Sequence, residues 1–111
     1  MADQDFYIKA HDTAPTLDAT LKDAAGNPEN LENASVRFHM RKQGESGSPK
    51  VDAAATVLDA SAGTVRYSWT AADTNVPGIY LGEFEVAYQD GSVQTYPNKD
   101  LMRVHVMDDI G

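Results

Sequence analysis

The sequence predicts an all-β protein, an antiparallel β-sandwich of seven to eight short strands. Short runs alternate apolar and polar residues with period 2, as half-buried strands do. Clusters of Gly, Pro, Asn, Asp and Ser separate these runs at intervals of roughly ten residues. No stretch sustains the 3.6-residue period of a helix. A closed β-barrel stays open as an alternative, because strand count does not separate the two architectures. The 111 residues form a single domain, 1–111, large enough to bury a core without covalent staples.

Taken in order, Phe6-Tyr7-Ile8-Lys9-Ala10 reads as a first strand or as a docking arm spanning residues 1–15, ended by the turn formers around Pro15. From Thr16, Leu17, Ala19 and Leu21 share one face and Asp18, Thr20 and Lys22 the other, until Asp23 to Pro28 turns the chain. Ser35 to Lys42 places Val36, Phe38 and Met40 inward and Arg37, His39 and Arg41 outward, a strand with a cationic outer face. Gln43 to Lys50 combines two glycines, two serines and a proline with no apolar residue, which makes it a flexible surface loop. Ala53 to Leu58 is alanine-rich and open to strand or helix, but its shortness and the Thr56-Val57 pair favour one strand.

After the turn at Asp59 to Gly63, Thr64 to Thr70 alternates with Val65, Tyr67 and Trp69 on the core face. Ala71 to Gly78 has room for one helical turn at Ala71 to Thr74. The strongest local signal follows. Tyr80, Phe84, Val86 and Tyr88 alternate with Glu83, Glu85 and Gln89, and Asp90-Gly91 suits a type I′ turn into a second strand from Ser92. Gly78-Ile79-Tyr80 has the form of a tyrosine corner, in which the hydroxyl bonds back to upstream backbone. Asn98-Lys99-Asp100 is a turn, and Leu101 to Met107 supplies the last strand, with Met102, Val104 and Val106 on one face.

The chain has no cysteine, which removes disulfides, thiolate nucleophiles and Cys-ligated metals together. Lys+Arg 9 against Asp+Glu 17 gives a formal charge of −8, unfavourable for nucleic acid or an anionic membrane. The N-terminus lacks a basic region followed by an apolar one, and no apolar run approaches the roughly 20 residues of a membrane helix. The expectation is a protein made and kept in the cytoplasm until it joins a larger assembly.

The residues offer no catalytic apparatus. His11, His39 and His105 lack metal-ligand spacing and no carboxylate motif accompanies them. His39 and His105 would be neighbours only if the third and last strands share one sheet surface. Glu83 and Glu85 lie two apart on a solvent face, where a sandwich carries charge anyway. No P-loop, nucleophile elbow or calcium loop is present. The one cationic concentration, Arg37, His39, Arg41 and Lys42 with Arg66 and Arg103 as neighbours, fits either a docking rim or a solvated strand face balanced by Glu83 and Glu85. Tyr7, Ile79 and Tyr96 are expected off the core face, where interfaces enrich aromatics. The candidate protein-interface residues are Phe6, Tyr7, Arg37, His39, Arg41, Tyr96 and Arg103, with no catalytic, metal or cofactor residue.

The order of motifs resembles a known family. Leu21 to Pro28, followed by Leu31-x-x-Ala34-x-Val36-x-Phe38-x-Met40, is similar to the N-terminal domain of phage upper baseplate proteins. So are Ala62 to Thr70 with Asp73-Thr74, Pro77 to Tyr80 leading into Phe84-Glu85-Val86 and Asp90-Gly91, and Thr95-Tyr96-Pro97 followed by Met102 to Val106. The resemblance runs from Leu17 to Val106. It implies an immunoglobulin-like β-sandwich in a tailed-phage virion, a non-enzymatic adaptor or decoration module without cofactors. Its implied partners are other virion structural proteins and further copies of itself. In the family this domain is followed by a long segment carrying receptor-binding proteins, whereas this chain stops at Gly111. The expectation is therefore a free-standing copy on tail, baseplate, connector or capsid, made in the cytoplasm of the bacterial host. A carbohydrate- or host-surface-binding module is the second reading, and it requires exposed aromatics and carboxylates clustered at one loop end.

Overall fold

The alternating runs become nine strands in a computed structural model, which describes residues 4–97, 101–108 and 110. They are β1 (Gln4–Lys9), β2 (Leu17–Thr20), β3 (Ser35–Lys42), β4 (Val51–Ala54), β5 (Thr56–Asp59), β6 (Thr64–Tyr67), β7 (Gly78–Ala87), β8 (Val93–Tyr96) and β9 (Met102–Met107). No helix among the described residues is long and apolar enough to cross a membrane.

Two sheets face each other. One has the order β1-β9-β7-β3-β4, with β8 also paired to β7; the other has the order β2-β6-β5. All pairings are antiparallel except β1 with β9, which is parallel. β9 pairs with Gly78 to Gly82 and β8 with Phe84 to Ala87, so the two succeed one another along the length of β7. This is the β-sandwich that the period-2 pattern predicts, and the barrel alternative is excluded.

Between the sheets lie the alternating residues of both. Phe38 stacks on Tyr67 at 4.7 Å between ring centroids and meets Trp69 edge-on at 5.6 Å and Phe84 at 5.1 Å. Fully burying a side chain of this size contributes about 1.5–3 kcal/mol. The ring of Phe38 fits because β7 carries a glycine beside it: a Cβ on Gly82 would lie 3.1 Å from Phe38 and 3.0 Å from the Met102 methyl. Tyr80 forms the expected tyrosine corner, its hydroxyl donating to the Val76 carbonyl at 2.6 Å. At the same end of the sandwich the buried Thr74 donates to the Asp12 carbonyl at 2.9 Å, and its own carbonyl accepts from the His11 amide at 3.0 Å. The β1–β2 and β6–β7 connections are thereby tied together.

Four local expectations change. Ala53 to Leu58 is not one strand. Val51 to Ala54 pairs with β3 in the larger sheet, the Ala55 amide donates to Val36, and Thr56 onward pairs with β6 in the smaller sheet. The β7–β8 turn is a three-residue loop, with the Gly91 amide donating to the Tyr88 carbonyl and the Tyr88 amide to Ser92. Only Gly91 there has positive φ, whereas a type I′ turn needs two such residues. β6 ends at Tyr67, short of Thr70, because Asp73 Oδ2 accepts from both the Thr70 amide (2.9 Å) and the Tyr67 hydroxyl (2.7 Å) and draws the chain out of the ladder. Residues 71–74 form a turn rather than a helix. The turn expected at 98–100 lies outside the described residues.

Candidate functional site

The outer face of the six-stranded sheet gathers most of the candidate residues, and the strand register arranges them in rows. In one row, across β1, β9 and β7, stand Tyr7, His105 and Ile79; in the next, reaching β3, stand Asp5, Arg103, Leu81 and Arg41. A third holds Glu83, His39 and Asp52, and a fourth Glu85, Arg37 and Ala54. On β1, β3, β7 and β9 the odd-numbered positions reach this face because the even-numbered residues fill the core, whereas on β4 Asp52 and Ala54 reach it while Val51 and Ala53 turn inward.

The two ends of the face differ. Toward β4, charge is internally matched. Arg37 donates through Nε to Asp52 Oδ1 and through Nη2 to the Asp52 carbonyl, both at 2.9 Å. His39 sits between Asp52 (Nε2 to Oδ1, 3.1 Å) and Glu83 (Nδ1 to Oε1, 3.7 Å). The Arg37 hydrogen bond, with a smaller contribution from His39, holds the Asp52 carboxyl below its ordinary value. The sequence pattern missed Asp52 as the principal balancing charge, since only the β3–β4 register brings it level with His39.

Toward β1, the face is more apolar. Tyr7 is 56% exposed and Ile79 42%. Tyr7 lies flat against His105, with ring centroids 4.4 Å apart, and His105 Nε2 is 2.8 Å from Asp5 Oδ1. Arg41, on β3 in the second row, is exposed and makes no ion pair among the described residues. A hollow of about 300 Å³ is bordered by His39, Arg41, Leu81, Glu83 and Leu101. Its charges are mixed, and among the described residues no nucleophile–base pair converges on it. Among the described residues no three His, Asp or Glu side chains are grouped to hold a metal ion.

The remaining candidates sit elsewhere. Phe6 turns inward, half-buried, and stacks on Trp69 at 5.8 Å. Tyr96 is a correction: expected off the core face, it is 2% exposed. Its hydroxyl donates to Glu29 Oε2 at 2.6 Å and lies 2.8 Å from the Tyr88 hydroxyl. Burial first, and then the Glu29 and Tyr88 contacts, push its phenol pKa far up. Arg66 is a second correction, because it belongs to the smaller sheet. There it grips Asp18 through Nε (2.8 Å) and Nη2 (3.0 Å), and this bidentate bond holds Asp18 below its ordinary value. His39 and His105 do share one sheet surface, but β7 separates them and the register sets them four residues apart along it, about 16 Å.

The sequence profile of the BppU N-terminal domain matches residues 1–98. It takes in β1, ahead of Leu17 where the motif resemblance begins, and stops before β9. Among solved structures the chain is similar to the N-terminal domain of phage TP901-1 ORF48, at 17% identity over 96% of this chain and 99% of that one, with a TM-score of 0.60. It is also similar to CopC from Methylosinus trichosporium OB3b, at 12% identity over 97% and 88% of the two chains, with a TM-score of 0.54. At these identities both likenesses concern the fold. No curated protein matches the sequence.

Proposed function

Because the chain belongs to the BppU N-terminal domain family of phage baseplate upper proteins, which gives it a structural part in the virion, we propose the finer role of a non-enzymatic adaptor or decoration module. It docks on other virion proteins and is present in several copies. The observation that carries this reading is the uneven outer face of the larger sheet. Exposed Tyr7 and Ile79 share the first row and the unmatched Arg41 stands in the next, while the charges of the third and fourth rows satisfy each other. Interfaces join apolar and aromatic side chains with arginine in this way, and matched pairs contribute little to them. The loop at residues 43–50 flanks the same face and is free to follow the partner's shape.

The carbohydrate-binding reading has less support. Of the two aromatics available to it, Tyr96 is buried, which leaves Tyr7 alone on a sheet face rather than at a loop end.

Electron microscopy of the source particle with this protein labelled tests the role. Regular decoration of baseplate, tail, connector or capsid is the expected result, and absence of label from every particle overturns it. With the purified chain, Ile79→Glu and Arg41→Glu should each weaken binding to particles lacking the protein by about tenfold or more. Asp18→Asn, on the opposite sheet, should leave that binding unchanged.

A further inference from the structure

The exposed edge of β1 is complementary to itself. β1 ends the larger sheet, and no other described strand pairs with its outer side. The Gln4 amide donates to Leu101 and the Ala10 amide to Met107, and a parallel ladder engages both backbone groups of every second residue. The even-numbered residues therefore face β9. Asp5, Tyr7 and Lys9 turn their N–H and C=O groups to the free edge, where only the Lys9 carbonyl has a described partner, the Asp12 amide at 3.1 Å.

We propose that two copies of this chain join through antiparallel β1–β1 pairing, with the two-fold axis at Tyr7. In that register Tyr7 meets Tyr7 of the second copy as a hydrogen-bonded pair, and Asp5 meets Lys9 twice. The same alternation that leaves Asp5, Tyr7 and Lys9 unpaired gives this register its backbone bonds. On the inner face Phe6 meets Ile8, which covers the exposed part of the half-buried Phe6. Lys9 Nζ is free to swing, being held only by a 3.5 Å contact to the Asp108 carbonyl. Parallel self-pairing in register would instead set Asp5 against Asp5 and Lys9 against Lys9, so the edge selects a closed dimer over an open stack. A different basic strand from another protein would satisfy Asp5 but would leave Lys9 opposed. This contact specifies the multi-copy part of the role proposed above and rests on that part.

The test uses the purified 111-residue chain alone, so failure to dimerise and failure to bind particles are separate results. Sedimentation across concentration should show a reversible dimer. Asp5→Lys and Lys9→Asp, each placing like charges opposite twice, should each weaken it about tenfold, and mixing the two variants should restore it as a heterodimer. The chain has no cysteine, so Tyr7→Cys supplies one thiol per copy. Hydrogen-bonded antiparallel partners lie about 5.5 Å apart at Cα, within disulfide reach. Oxidation should link Tyr7→Cys into a dimer and leave Leu58→Cys, on the opposite sheet, monomeric. Should Asp5→Lys fail to fold for want of its His105 contact, Lys9→Asp and the disulfide still decide. A chain that stays monomeric up to about 1 mM, or Tyr7→Cys cross-linking no better than Leu58→Cys, overturns the proposal.

Discussion

The Tyr96 hydroxyl has one proton and three oxygen neighbours: Glu29 Oε2 at 2.6 Å, the Tyr88 hydroxyl at 2.8 Å and Gln94 Oε1 at 2.8 Å. The charged acceptor takes the proton, Tyr88 donates in turn, and the Gln94 amide is satisfied when its NH₂ is turned toward the phenol oxygen. Tyr96→Phe leaves Glu29 and Tyr88 without this partner and should cost about 2 kcal/mol in urea unfolding. Burial also raises the phenols of Tyr67 and Tyr96 above the ordinary tyrosine value of 10.0. A raised pKa means that the folded state holds the proton more tightly, so this stabilisation is complete below pH 10.0 and is lost as pH rises above it. The Tyr67→Phe/Tyr96→Phe variant should therefore lose less stability than the parent chain when urea unfolding is followed from neutral to alkaline pH. Alternation could not place Tyr96, because β8 is four residues long and the decisive partner, Glu29, lies 67 residues away. Trp69 was legible as a core residue, but not that its buried indole N–H finds no hydrogen-bond partner among the described residues.

Among the elements, long strands with clean alternation could be read directly: β3 spans Ser35–Lys42 as the pattern predicts, and β7 buries Tyr80, Phe84 and Val86. The change of sheet at Ala55 was hidden, because an alanine-rich run carries the same signal in either sheet. The β7–β8 loop was misread because Asp-Gly suits two turn types, and the pairing of Tyr88 with Ser92 decides between them. Gly63, by contrast, marks a tight element junction. It has φ of +70°, and an added Cβ would stand 2.8 Å from the Leu21 carbonyl oxygen and 2.9 Å from that of Glu29. Both contacts are backbone and cannot swing aside. Gly63→Ala should therefore destabilise the fold by about 2 kcal/mol or more, seen as a lowered midpoint in thermal unfolding.

At the scale of the whole molecule, the sequence specified which faces meet the core but not which strands adjoin. That gap is why Arg66 was grouped with Arg37 although the two sit on different sheets, and why the Tyr7–His105–Asp5 cluster was not foreseen. The cluster joins positions 5 and 105 across the parallel β1–β9 pair. This pairing also sets how the domain bears load. Gln4 lies opposite Met102 and Lys9 opposite Met107, so the chain enters β1 at one end of the ladder and leaves β9 at the other. Tension applied at Gln4 and Asp108 slides the two strands lengthwise and strains their hydrogen bonds simultaneously. Tension at Gln4 and Leu101 peels the same bonds one after another. In single-molecule pulling the first geometry should require the higher rupture force, and equal forces would show that the β1–β9 ladder does not set mechanical strength. A virion domain pulled at these two points would thus act as a shear clamp.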